Sequence, residues 1–240
     1  NAFPSAMYML CIPAVLAGVP EIHVVTPPRA DGSADDASLF AAEVSGIKNV
    51  YKVGGAQAIA ALAYGTETVP AVRKVVGPGS PYVAAAKMLL SSSIDPGMPA
   101  GPSESIVLCD ETANPDTTVL DLMNEAEHGP DSAALLVTHD EAFAREIAAR
   151  LPEAIAAVPE PQRGWLETVF SGFGGIILTR SLEESIEVAN LYAPEHLLVK
   201  VANPQAIIPR LVNCGEILIG EWTAFTLGNY GTGVNHVLPT

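Results

Sequence analysis

The sequence predicts an α/β protein built on parallel sheet. Two observations carry the prediction. Short β-branched runs alternate with Ala-rich stretches of helical period, the pattern of βαβ units. The strand-like runs are almost wholly apolar, as strands covered on both faces must be. Helix-start signals fall between them: Asn114 with Pro115 at the first helical position, and Ser181 followed three residues later by Glu184.

Taken in order, the strand candidates are 22–26, 50–53, 74–76, 105–109, 134–138, 175–178, 197–201 and 216–220. Helices are expected over 4–17, 34–45, 56–64, 81–91, 115–127, 140–150, 160–171, 181–190 and 204–212. The clearest seam is "SSSIDPGMPAGPSES" (91–105), Gly- and Pro-rich and long for a connection inside one compact domain. It divides a first α/β unit from a second.

The chain has 240 residues, 49% of them hydrophobic and 16% charged. That composition builds a core rather than a disordered coil. A formal net charge of −15 excludes a phosphate-backbone partner, which needs clustered Lys and Arg. Cys11, Cys109 and Cys214 form no CxxC or metal-ligand spacing, which fits a reducing, cytoplasmic setting. No apolar run is long enough to span a membrane. Opening on Asn1 and halting on "NHVLPT", both ends read as cut from something longer.

Five stretches carry chemistry. "KVGGAQAIAALAYG" (52–65) runs from a strand through two glycines into a helix. A tight βα turn accounts for it, and so does close approach of backbone N–H groups to a phosphate. It lacks the G-x-G-x-x-G pattern. Gln57 would sit on the first turn of that helix. "GPGSPYVAAAK" (77–87) repeats the design, and two such turns after successive strands would share one sheet edge. In "NEAEHGPDS" (124–132), Glu125 and His128 are three apart at a helix end and share a face. That spacing can chelate a metal. It also suits an ordinary helix terminus, where a His near the last carbonyls is favourable. In "APEHL" (193–197), Pro194 places Glu195 and His196 in a turn before the strand, from which both could reach one cleft as base and acid. A solvated loop is the alternative. "GNYGTGVNHVLPT" (228–240) sets glycines around Asn229, then Asn235 and His236. That is backbone suited to a ligand or simply a loop. His23 and His139 lie in or just after apolar strands and read as structural; "SLEESIEVAN" reads as a solvated helix face.

"VGGAQAIAALAYGT", "MPAGPSES", "EAEHGPDS", "NLYAPEHL" and "GNYGTGVNHVLPT" occur together and in this order. The combination resembles the histidinol dehydrogenase family across essentially the whole chain. The resemblance implies two Rossmann-like parallel-sheet domains: 1–107 as an NAD-binding domain, and 108–240 as the C-terminal part of a second, incomplete here. It implies a homodimer, a polar alcohol as substrate, and NAD and zinc as cofactors. The reaction would be oxidation of an alcohol through an aldehyde to an acid, L-histidinol to L-histidine, or a sulfonated propanediol in a paralogue. A non-catalytic member of the scaffold is a further alternative.

Residue by residue, Glu195 would activate water and His196 would take the hydroxyl proton. Gln57 and Ser80 would contact NAD. Ser103 would contact substrate, together with Glu125, His128, His196 and Asn229. Zinc would be held by Glu125, His128 and Asn229. Three positions depart from the family pattern, which usually carries Gln at 125, Asp at 229 and Asn at 80. The first two exchanges leave their summed charge unchanged and an oxygen ligand at each position. The family's final zinc ligand, a His, lies in a C-terminal segment absent from this chain, so the chain alone is expected to bind zinc incompletely and to be inactive.

Overall fold

The computed structural model describes residues 4–98, 101–230 and 238, without the side chains of 228–230. The chain divides into two compact units, and the break falls between Gly101 and Pro102.

The first unit contains α1 (Pro4–Leu16), β1 (His23–Val25), α2 (Asp36–Val44), β2 (Asn49–Tyr51), α3 (Gly55–Tyr64) and α4 (Pro81–Leu89). β1 and β2 pair in parallel, with α2 between them in sequence. Alternation along the strands sends Val24 and Val50 to a core with Cys11, Ala42 and Ile47. Val25 and Tyr51 go to a second core with Ile59, Leu62 and Val75. Both faces of the pair are therefore covered. Asp35 starts α2 by accepting from the Ser38 N–H at 2.8 Å. The expected strand at 74–76 is a correction: only Lys74 makes a ladder contact, an isolated parallel bridge to Asp95. Only two apolar residues, Val75 and Val76, separate Lys74 from Gly77, and the pairing does not extend along them.

The second unit contains β3 (Glu104–Cys109), α5 (Pro115–Ala126), β4 (Ala133–Thr138), α6 (Glu141–Ala156), α7 (Gln162–Ser171), β5 (Gly175–Leu178), α8 (Leu182–Tyr192), β6 (His196–Lys200), α9 (Pro204–Ile207), β7 (Glu216–Ile219) and α10 (Phe225–Tyr230). The sheet is wholly parallel, in the order β5-β4-β3-β6-β7. Its first strand is central, and the chain steps outward in one direction, then returns and steps outward in the other. On one face Val107, Leu136, Leu198 and Leu218 pack with residues of α5, α6, α7 and α10. On the other, Ile106, Val137, Leu197 and Val199 pack beneath α8 and α9. Each fully buried Leu contributes roughly 2 kcal/mol over its exposed state.

Two helix boundaries move by more than two residues and one helix is new. α6 runs to Ala156 through Pro152, where the sequence suggested a stop at 150. Leu151 and Ile155 are buried in the core on that turn, and their burial offsets the hydrogen bond that proline removes. The expected helix 204–212 shortens to α9 and a 3-10 turn at Ile208–Arg210, because Pro209 interrupts it. α10 carried no sequence prediction.

Candidate active site at the amino edge of the second sheet

Parallel register builds the site. His196, the first residue of β6, lies level with Ser105 of β3 and with Glu216 of β7. Residues level on neighbouring strands present side chains to the same face. The three therefore form a row at the amino-terminal edge of the strands, on the face that carries α5 and α10. The side chains of His196 and Glu216 are buried, and His196 Nδ1 lies 3.1 Å from Glu216 Oε2. The Phe225 ring of α10 stands 5.8 Å from the imidazole, tilted by 58°.

Glu195 comes from the bend just before β6. A regular strand would send it to the opposite face. Instead its Oε1 is 3.7 Å from His196 Nε2, so the imidazole lies between two carboxylates. The expectation that both residues precede the strand holds for Glu195 only, since His196 already belongs to β6. The helix before them ends on Ala193 in the left-handed region, φ 57°, and the Glu216 N–H donates to the Glu195 carbonyl at 3.0 Å. These contacts fix the bend.

α5 delivers Glu125 to the same neighbourhood. It is buried, and its charge is felt by both Glu195 and His196. His128 follows in the turn rather than in the helix. Its Nδ1 lies 3.1 Å from the Glu125 carbonyl and 3.4 Å from Glu125 Oε1. Ser103 directly precedes β3 at this edge and accepts from the Ala133 N–H. Glu104 is hydrogen-bonded by Tyr192.

Burial dominates the electrostatics. It pushes the Glu195 carboxyl up to about 7; attraction to His196 lowers it, and repulsion from Glu125 raises it further. Burial also lifts Glu104, against the Tyr192 hydrogen bond. Burial opposes the imidazolium of His196, but the Glu216 hydrogen bond and the charges of Glu125, Glu195 and Glu216 outweigh it and raise its pKa. Among the described residues neither Glu125 nor Glu195 meets a Lys or Arg at ion-pair distance. Among the described residues, Glu125 Oε1 and Glu195 Oε2 are buried without a hydrogen-bond partner. Buried carboxylate oxygens without a hydrogen bond are costly, a cost that a bound cation would offset. Glu125 and His128 are thus a fitting pair of metal donors. Among the described residues no group of three or more His, Cys, Asp or Glu is arranged to hold a metal ion. The Asn229 side chain, Asn235 and His236 lie outside the described residues.

Gln57 and Ser80 belong to the first unit and are exposed. Gly54 begins α3 and Ser80 begins α4, neither with a side-chain cap. A Cβ on Gly54 would come within 2.7 Å of Pro27, so only glycine fits that turn. The two glycine turns do not follow successive strands of one sheet, because 74–76 is not a strand.

Two groups escaped the sequence reading. Glu216 is one; it opens an ordinary apolar strand, and only the register brings it to His196. The other is a cluster at the opposite, carboxyl-terminal edge. Lys200 Nζ, fully buried, contacts Asp121 Oδ2 at 2.5 Å, Glu221 Oε1 at 3.0 Å and Thr117 Oγ1 at 3.0 Å. Thr117 also hydrogen-bonds Glu221. A Lys ending an apolar strand is the signal that could have found it.

The fold is shared with a propionaldehyde dehydrogenase from Clostridium phytofermentans (TM-score 0.52, 15% identity, 88% of this chain and 62% of that one), a likeness that shows the fold alone. The crystal structure of histidinol dehydrogenase from Elizabethkingia anophelis superposes with a TM-score of 0.94 at 39% identity, over 99% of this chain and 54% of that one. The histidinol dehydrogenase family model matches residues 1–240. A histidinol dehydrogenase homolog of Rhizobium meliloti is 52% identical over the whole chain and 53% of its own length. Histidinol dehydrogenase of Synechocystis is 51% identical over the whole chain and 55% of its own length. The chain belongs to the histidinol dehydrogenase family, and it spans about half the length of the curated relatives it matches.

Proposed function

We propose that the protein carrying this chain oxidises a cationic amino alcohol with NAD, L-histidinol to L-histidine through the aldehyde. The family relationship supplies the reaction. The observation that carries the substrate class is the cluster of buried carboxylate side chains, Glu125, Glu195 and Glu216, around His196. Such a field stabilises ammonium or imidazolium and repels sulfonate. A sulfonated propanediol is therefore disfavoured as substrate.

In the first step His196 accepts the hydroxyl proton while the carbinol carbon gives its hydride to NAD, leaving aldehyde and NADH. In the second, Glu195 takes a proton from water as the oxygen adds to the aldehyde carbon. The resulting gem-diolate gives a second hydride to a second NAD and becomes the carboxylic acid. A carboxyl held at about 7 suits a base that must alternate between states near neutral pH. Glu125 and His128, with Asn229, would hold zinc, which supplies Lewis-acid polarisation of the alcohol oxygen. Ser103 adds a polar group at the same edge for substrate, and Gln57 and Ser80 would contact NAD. The strand order of the second unit, first strand central, supports reading it as Rossmann-like, with the first unit as the NAD-binding domain. No helix is long and apolar enough to cross a membrane among the described residues.

The test is Glu195→Gln in the full-length protein. It should still make aldehyde, trapped by a hydrazide, with one NADH per substrate. Two NADH per substrate at the parent rate would sink the assignment of Glu195 to water activation.

A further inference from the structure

We propose that Glu216 is a positioning residue that fixes the tautomer of His196, an inference that rests on reading His196 as the proton acceptor. A neutral imidazole carries one proton, and the partner of one nitrogen decides which it is. Glu216 Oε2 is 3.1 Å from Nδ1. A carboxylate accepts and cannot donate, so the proton sits on Nδ1. The lone pair then lies on Nε2, the nitrogen 3.7 Å from Glu195 Oε1.

The arrangement is held by the framework rather than by flexible side chains. Both residues are strand-initial, paired in register across β6 and β7, and both are more than nine-tenths buried. The Glu216 N–H is committed to the Glu195 carbonyl, so one residue of β7 sets the backbone of Glu195 and the ring of His196. Phe225 limits rotation of the ring from the α10 side. Facing the imidazole are Glu195 from the bend, Glu216 from β7, Glu125 from α5 and Ser105 from β3. Of these, the Glu216 carboxylate lies at hydrogen-bond distance from Nδ1.

Two measurements separate this inference from the proposed reaction. The first is the nitrogen-15 chemical shifts of neutral His196 in the 240-residue chain. Glu216 should hold the proton on Nδ1 in the parent, and Glu216→Gln should move a large part of it to Nε2. A proton on Nε2 in the parent, or a distribution unchanged in the variant, would overturn the inference whatever the enzyme does. The second is steady-state oxidation by the full-length protein. Glu216→Gln should lower kcat by roughly 10²-fold or more, as wrong-tautomer variants do, with KM within about threefold. Glu216→Asp should recover part of the loss. A parent-like kcat in Glu216→Gln, or KM and kcat moving together with no recovery in Glu216→Asp, would also overturn it. An inactive parent would fail the proposed reaction while leaving the shift measurement decisive for Glu216.

Discussion

Glu195→Gln should make the 240-residue chain more stable, and increasingly so as pH rises. The parent buries a carboxyl whose pKa rises from 4.5 to about 7 on folding. Between those values the folded state binds more protons than the unfolded one, so stability falls with pH. The stabilising protonated form is fully present below about 4.5 and lost through about 7. Raising the carboxyl from 4.5 to about 7 corresponds to roughly 3 kcal/mol at the alkaline end, and the Glu195 side chain is buried enough for solvent screening to be small. Gln keeps the shape and removes the titration. Its own burial cost does not vary with pH, so the informative quantity is the change in the variant-minus-parent difference. Urea unfolding with a chelator present should show that difference growing by about 2–3 kcal/mol between about pH 5 and about pH 8. A difference flat across that range would refute the claim that Glu195 is held protonated by burial.

Other outcomes follow from named contacts. Lys200→Met leaves Asp121 and Glu221 without their buried cation and should cost about 3–5 kcal/mol, read as a lower urea midpoint; a loss under about 1 kcal/mol would mean the cluster is solvated. Ala193→Gly relieves the one non-glycine residue of positive φ among those described. It should raise stability by about 1 kcal/mol, seen as a higher Tm; a lower Tm would mean that Ala193 bears no strain there.

The fold was legible wherever period and capping agree. β3, β4 and β6 each contain an apolar run buried on both faces, and Asn114, Asp140 and Ser181 cap the helices that follow. Local rules misled where packing overrode them, as at Pro152. The site was legible in part. Glu125 with His128 and Glu195 with His196 stand out as adjacent titratable groups. What joins the two pairs is strand register and the return of α5 to the amino edge, neither of which is local in sequence. Glu216 was invisible for that reason. The glycine turns drew attention to the carboxyl ends of strands, where α/β proteins commonly bind ligands, whereas the buried carboxylates gather at the opposite edge.

The most direct test of the account is NAD reduction by the full-length protein with zinc supplied, L-histidinol set against a sulfonated propanediol. The carboxylate cluster around His196 predicts two NADH per L-histidinol and no turnover of the sulfonate. Turnover of the sulfonated diol with histidinol inert would contradict it, and would mean that Glu125, Glu195 and Glu216 do not set the charge of the substrate.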